Sequence, residues 1–400
     1  MRIVMLHHDD RNAVSGAVTM ARRTAEALAQ RGHEVALAGT PPAAHDAAVL
    51  YLGPQLPISL GALVDHTGWR PDVIHVTDLA EPSAGWCGLA LAREAGCTFA
   101  VTPATHPALW SEHADGIDIA RSADVVFVLT AAEGDALTVH GVAPERLAPL
   151  GQGPQLSGRA DPAAFRAAMD VQGPLVLFLG RRLPSKGYQH LLAAAPAILA
   201  RHPDATIMIA GPASDPASVA ATRVAPVRDV GELDDATKHS ALVAADLLCL
   251  PTVADAFPLV FVEAWWCGTP VVSGPFAGVH DVVRDGVDGL VVPAERAAVA
   301  CAVSGLLADL PRLQAMGRAG RERAGREFSW AAVAAGAERG YGPAAARHRG
   351  VAVQQSTSNS TGQGGSHASH HPGRRIGNPA AAPHRRHPET AGAAGRDADH

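Results

Sequence analysis

Residues 251–290 concentrate the side chains best suited to chemistry. Two carboxylates, Asp255 and Glu263, stand eight positions apart in PTVADAFPLVFVEAWWCGTPVVSGPFAGVHDVVRDGVDGL. Between them lie an aromatic–proline turn (Phe257, Pro258) and, from Leu259, the start of an apolar helix. Cys267-Gly268-Thr269-Pro270 breaks that helix, and Val271-Val272 open a buried strand. Eight residues slightly exceed two helical turns, so an acid in the loop before the helix and an acid within it share one side. A carboxylate accepts several hydrogen bonds, so each acid suits a pair of sugar hydroxyls. The free N–H groups at the helix start suit a phosphate. Together they predict a site for a nucleotide sugar.

A basic loop supplies the opposite charge. The apolar run PLVLFLG (174–180) leads directly into Arg181-Arg182-Leu183-Pro184-Ser185-Lys186-Gly187. An Arg and a Lys five residues apart at a strand end can clamp a diphosphate and stabilise its departure without a metal.

The elements that must position these groups are short apolar strands alternating with amphipathic helices. MRIVML reads as a buried strand, 17–31 as a helix stopped by Gly32, and HEVALAG as the next strand. Further strands are expected at 71–76, 98–104 and 123–130. The pattern restarts after the Gly/Pro/Gln-rich passage 149–162, with strands at 174–180 and 205–211 around a helix at 190–203. This predicts an α/β chain of two Rossmann-like, doubly wound domains facing across a cleft, the cleft being the ligand site. The loop after the first strand, HHDDRNAVSGA, lacks a dinucleotide fingerprint, which argues against NAD.

The acidic stretch resembles the E-x7-E signature of retaining glycosyltransferases of family 4, which have the GT-B fold and usually read close to ESFGLVLLEAMACGTPVV. Here Asp255 stands for the first Glu and Pro258 for the Gly. The basic loop resembles the family's GRLxxxKG segment, with Arg182 before Leu183, and Phe328-Ser329-Trp330 resembles its C-terminal FSW motif. The resemblance implies that Arg181 and Lys186 hold the donor diphosphate with the backbone after Phe257, at Pro258 and Leu259. Gly16 would approach it from the first domain, where Ser15 replaces the usual first glycine of a pair. Glu263 would hold the ribose and Asp255 the donor sugar, with His106 facing that sugar and Thr102 and Thr105 as weaker candidates. Asp235 and Lys238 would face the nucleobase; they equally suit the charged start of a helix. Retention by front-face attack would make both acids binding groups rather than a glycosidase pair.

The implied function is transfer from a UDP- or GDP-sugar to a hydroxyl of a small acceptor, with no cofactor and no metal. Two rivals share the architecture: a nucleotide-sugar 2-epimerase, and a non-catalytic nucleotide-sugar-binding protein. The expected domains are an acceptor-binding unit at 1–155, a donor-binding unit at 156–326, a crossover helix at 327–345 and a disordered tail at 346–400.

Composition agrees with a soluble enzyme. The 400 residues are 47% hydrophobic with mean hydropathy +0.06. Residues 1–150 hold nine Arg, no Lys and seventeen Asp/Glu, a balance of −8 within a net −6. That disfavours nucleic acid and anionic bilayers as partners and favours a small, cationic acceptor, such as an aminocyclitol, or another natural product. No run of 18 apolar residues and no secretory leader is present, which predicts a cytoplasmic protein without a stable membrane anchor. Five scattered cysteines predict reduced thiols and no zinc. The tail is rich in Gly, Ser, His and Pro, so His367, His370 and His371 reflect composition rather than a metal site.

Overall fold

The computed structural model describes residues 1–8, 16–41, 47–53, 55–56, 59–107, 110, 113–213 and 216–344. Ser15 and the expected tail at 346–400 lie outside them.

The first domain carries β1 (Arg2–His7), β2 (Glu34–Leu37), β3 (Val49–Tyr51), β4 (Val73–Thr77), β5 (Thr98–Thr102), β6 (Val125–Val128) and β7 (Leu147–Pro149). Its helices are α1 (Gly16–Gln30), α2 (Leu60–Thr67), α3 (Ser83–Ala95), α4 (His113–Ser122) and α5 (Ala131–Val139). The sheet order is β3-β2-β1-β4-β5-β6-β7. The second domain carries β8 (Leu175–Leu179), β9 (Thr206–Ala210), β10 (Arg228–Gly231), β11 (Leu247–Leu250), β12 (Val271–Ser273) and β13 (Gly289–Val291). Its helices are α6 (Pro162–Ala168), α7 (Tyr188–Arg201), α8 (Pro216–Val224), α9 (Asp235–Ala244), α10 (Leu259–Cys267), α11 (Val279–Val282), α12 (Arg296–Ala308) and α13 (Leu310–Glu327). The sheet order there is β10-β9-β8-β11-β12-β13.

Both sheets are parallel throughout their paired strands, and their central strands are covered on both faces. That is why these strands read as continuous apolar runs rather than alternating ones. The two doubly wound domains expected from the sequence are therefore present. The shortest strands, β3, β7, β12 and β13, have three residues each, too few to show a period of two. Three of them, β3, β7 and β13, are edge strands.

In each sheet the strand order reverses beside the first strand, between β1 and β4 and between β8 and β11. Loops leaving the carboxyl ends of such strands diverge and open a crevice. In the second domain those loops are the Arg181–Gly187 segment and the segment that carries Asp255.

A final helical stretch, 330–344, runs back onto the first domain. The buried Tyr341 hydroxyl meets His75 Nδ1 on β4 at 2.7 Å. Arg31 donates twice to the Glu338 carboxylate, each at 2.7 Å, and His33 Nε2 lies 2.8 Å from the same group. At the start of the stretch, Trp330 Nε1 donates to the Pro154 carbonyl at 3.0 Å, so the aromatic motif and the interdomain passage are joined.

Candidate active site

The loops after β8 and β11 are locked to each other before any ligand is considered. Ser185 O accepts from the Thr252 hydroxyl at 2.9 Å and from Val253 N at 2.8 Å. Gly187 has φ +73°, and a Cβ there would lie 1.9 Å from the Pro251 carbonyl oxygen. Only glycine satisfies both the left-handed backbone and the contact. The two adjacent arginines separate sharply. Arg182 is buried, its guanidinium paired with the Asp229 carboxylate and donating to Gly211 O at 3.1 Å. It ties the loop to the neighbouring strands. Arg181 is exposed, and no ion pair engages it among the described residues.

Lys186 Nζ pairs with Asp255 across the crevice. Both line a cavity of about 250 Å³ together with Gly180, Phe257, Pro258 and Leu259. Pro258 is the N-cap of α10 and has no N–H to offer, while Phe261 N turns back to Pro258 O at 2.9 Å. The amides of Leu259 and Val260, both in the cavity wall, are what the helix start can present to an anion. Phe257 holds this corner from behind: its ring meets Phe328 edge-on at 5.7 Å, and Phe328 stacks on Trp265 at 6.1 Å. Arg323 lies over Phe328 at 4.9 Å.

Glu263 is buried on α10, with 4% exposure. Its Oε1 accepts from Gln155 N at 3.1 Å and from Lys238 Nζ at 3.0 Å. Burial pushes its carboxyl up, and the Lys238 ammonium opposes that shift. Lys238 also donates to the Gln155 carbonyl at 2.7 Å, so one lysine joins helix α9, helix α10 and the interdomain passage. Asp234, not Asp235, caps α9 by accepting from Thr237 N at 2.7 Å; the Asp235 side chain is 72% exposed and 3.6 Å from Lys238. The structure thus brings together Lys186 with Asp255 and, separately, Glu263 with Lys238 and Asp235.

Gly16 and His106 stand at the carboxyl edge of the first sheet, after β1 and β5. A Cβ at Gly16 would meet nothing within 4 Å, so open space faces its backbone. His106 is half-buried, and burial lowers its imidazole pKa. The sequence reading did not find Gln155 beside Glu263 or the inward turn of Arg182. Those partners lie 108 and 47 residues away, and no local spacing signals them. Among the described residues no cluster of three or more His, Cys, Asp or Glu could hold a metal ion, and no helix is long and apolar enough to cross a membrane.

Comparison with known proteins places this geometry. The family model for glycosyl transferases group 1 matches residues 173–309, and that for a glycosyl transferase 4-like domain matches residues 15–153. The chain is 32% identical over 301 residues to D-inositol 3-phosphate glycosyltransferase of Segniliparus rotundus, covering 68% of this chain and 66% of that protein. It is 37% identical over 175 residues to phosphatidyl-myo-inositol mannosyltransferase of Mycolicibacterium smegmatis, covering 42% of this chain and 45% of the relative. The match thus spans about two thirds of one relative and under half of the other. Among solved structures, HepE of Anabaena in complex with UDP superposes with a TM-score of 0.68 at 20% identity, over 85% of this chain and 99% of that one. The chain belongs to the glycosyl transferases group 1 family and has its GT-B fold of two Rossmann-like domains.

Proposed function

We propose that the chain transfers a sugar, with retention, from a UDP- or GDP-sugar to a hydroxyl of a small polyol. The observation that carries the reading is the Lys186–Asp255 pair at the switch point of the second sheet, beside the start of α10. A lysine ammonium has three donors, so while it holds Asp255 it keeps two for phosphate oxygens. With Arg181 and the amides of Leu259 and Val260 it neutralises charge that grows on the diphosphate as the glycosidic bond breaks. Asp255, oriented by Lys186, accepts hydroxyls of the donor sugar. Glu263 has Oε1 committed to Lys238 and Gln155, and its Oε2 accepts from the ribose. His106 and Gly16 approach from the first domain. Relatives named for inositol phosphate and phosphatidylinositol make a cyclitol a fitting acceptor class.

The test is release of UDP or GDP from a panel of nucleotide sugars, with and without cyclitol acceptors, followed by the anomeric configuration of the product. Acceptor-dependent release with retained configuration is expected. Loss of the donor with no acceptor dependence, giving a 2-epimer, would make the chain an epimerase. Binding without turnover would make it a binding protein. Activity is expected to survive EDTA; full loss restored by Mn²⁺ would refute a metal-free mechanism.

A further inference from the structure

One peptide unit in the interdomain passage is held from both ends. The Pro154 carbonyl accepts from Trp330 Nε1 at 3.0 Å, and the N–H of the next residue, Gln155, donates to Glu263 Oε1 at 3.1 Å. That carbonyl and that N–H belong to the same planar amide, so fixing the oxygen fixes the direction of the N–H. A hydrogen bond accepted at the oxygen also polarises the amide and strengthens the bond that its N–H donates. Indole and carboxylate therefore stand at the two ends of one short hydrogen-bonded chain.

The surroundings keep this chain in place. Gly153 leaves no room for a side chain, because a Cβ there would fall 2.5 Å from the Trp330 ring. A Cβ at Gly151 would sit 3.1 Å from the Glu327 carbonyl oxygen. The passage thus lies directly against the aromatic motif. The same motif also reaches α10, since Phe328 stacks on Trp265, two residues beyond Glu263. Phe328 and Trp330 so grip both partners of the Gln155–Glu263 bond. In the next peptide unit the Gln155 carbonyl accepts from Lys238 at 2.7 Å, and Lys238 donates to the same Oε1. An oxygen with two lone pairs is filled by two donors, which leaves Oε2 to a ligand.

We infer that Trp330 is a positioning residue for the donor: through the 154–155 amide it sets the angle at which Glu263 meets the ribose. The inference rests on the reading of Glu263 as the ribose acceptor given above. It makes the aromatic motif more than an anchor, because Trp330 opens the segment 330–344 that docks on the first domain. That docking and the recognition of the ribose hydroxyls then share one amide.

The test titrates the full chain calorimetrically with UDP and GDP and with their 2′,3′-dideoxy forms, which lack those hydroxyls. The wild type is expected to bind one ribonucleotide at least about tenfold tighter than its dideoxy form, and Glu263→Gln to remove that preference. Trp330→Phe loses the indole N–H and should shrink the preference by about threefold or more. Gly153→Ala drives a Cβ into the indole and should do the same with Trp330 retained; it decides the matter if Trp330→Phe does not fold. In Trp330→Phe/Glu263→Gln, affinity for the ribonucleotide should be no lower than in Glu263→Gln alone, because the two residues act in series. Tyr341→Phe breaks the contact with His75 further along the same stretch and should keep the preference. A folded Trp330→Phe with its preference intact overturns the inference. Additive losses do so too, as does an equal loss in Tyr341→Phe, which would reduce Trp330 to a general anchor. The two readings separate. A preference lost in Glu263→Gln but kept in Trp330→Phe leaves Glu263 on the ribose and sinks only the role of Trp330, whereas no ribose preference in the wild type sinks both.

Discussion

Each carboxylate of the acidic motif has its own cation, and that sets what substitutions should do. In the proposed site Glu263 accepts from the ribose, so Glu263→Gln is expected mainly to raise the donor KM. Asp255 is proposed to face the donor sugar, so Asp255→Asn is expected to lower kcat more. Unchanged steady-state constants for both variants would displace the proposed site. Replacing Arg181 and Lys186 together by Ala should weaken UDP or GDP binding by about 3 kcal/mol, since hydrogen bonds to charged groups contribute about 1.5–3 kcal/mol each; calorimetry reads this directly. Lys238 carries a second role. Its partner Glu263 has a side chain only 5% exposed, so Lys238→Ala strands a buried carboxylate and should destabilise the fold by roughly 3 kcal/mol. In Lys238→Ala/Glu263→Gln the stranded charge is gone, so the double variant should recover part of that loss in urea unfolding.

At the scale of elements, two glycines make opposite demands. Gly187→Ala meets both a left-handed backbone and a Cβ 1.9 Å from the Pro251 carbonyl oxygen, so the loops after β8 and β11 must separate. A loss of at least about 2 kcal/mol is expected, visible as a lower Tm. Gly16→Ala opens α1 with a better helix former and a Cβ that meets nothing within 4 Å. Its stability should change by less than about 0.5 kcal/mol. If Gly16 faces the diphosphate as proposed, donor affinity should nevertheless fall. An unaltered donor affinity would move Gly16 out of the site.

For the whole molecule, the docking of 330–344 on the first domain should be acid-sensitive. Burial lowers the His75 pKa from 6.5 to about 3, with Tyr341 on Nδ1 and Thr102 Oγ1 2.8 Å from Nε2. The unfolded imidazole takes a proton below about pH 6.5 while the folded one stays neutral to about 3. The unfolded state thus binds more protons in that window, and stability falls as pH falls, by up to roughly 1.4 kcal/mol per pH unit. Glu338 adds a lower window. Its hydrogen bond from Arg31 holds its pKa at about 2 against 4.5, so its stabilisation is present above 4.5 and lost as pH falls towards 2. Denaturant titrations from pH 8 to pH 3 should show this slope. His75→Gln should flatten it above pH 4.5, and an unchanged slope would assign the acid sensitivity elsewhere.

The sequence by itself determined what is local. Apolar runs marked the central parallel strands because strands covered on both faces need no alternation. The D-x7-E stretch and the basic loop were legible because each is contiguous and each ends at a strand-to-helix turn. Only the tertiary structure decided which charges meet. Lys186 and Asp255 are 69 residues apart, and Glu263 finds Lys238 and Gln155 at separations of 25 and 108. Those pairings follow from the order β10-β9-β8-β11-β12-β13, which sets β8 beside β11, and from the chain passing back between the domains. Spacing within a segment fixes the face a side chain occupies and says nothing of what lies opposite. The same limit hid the split of Arg181 and Arg182, adjacent in sequence but turned one to solvent and one to Asp229.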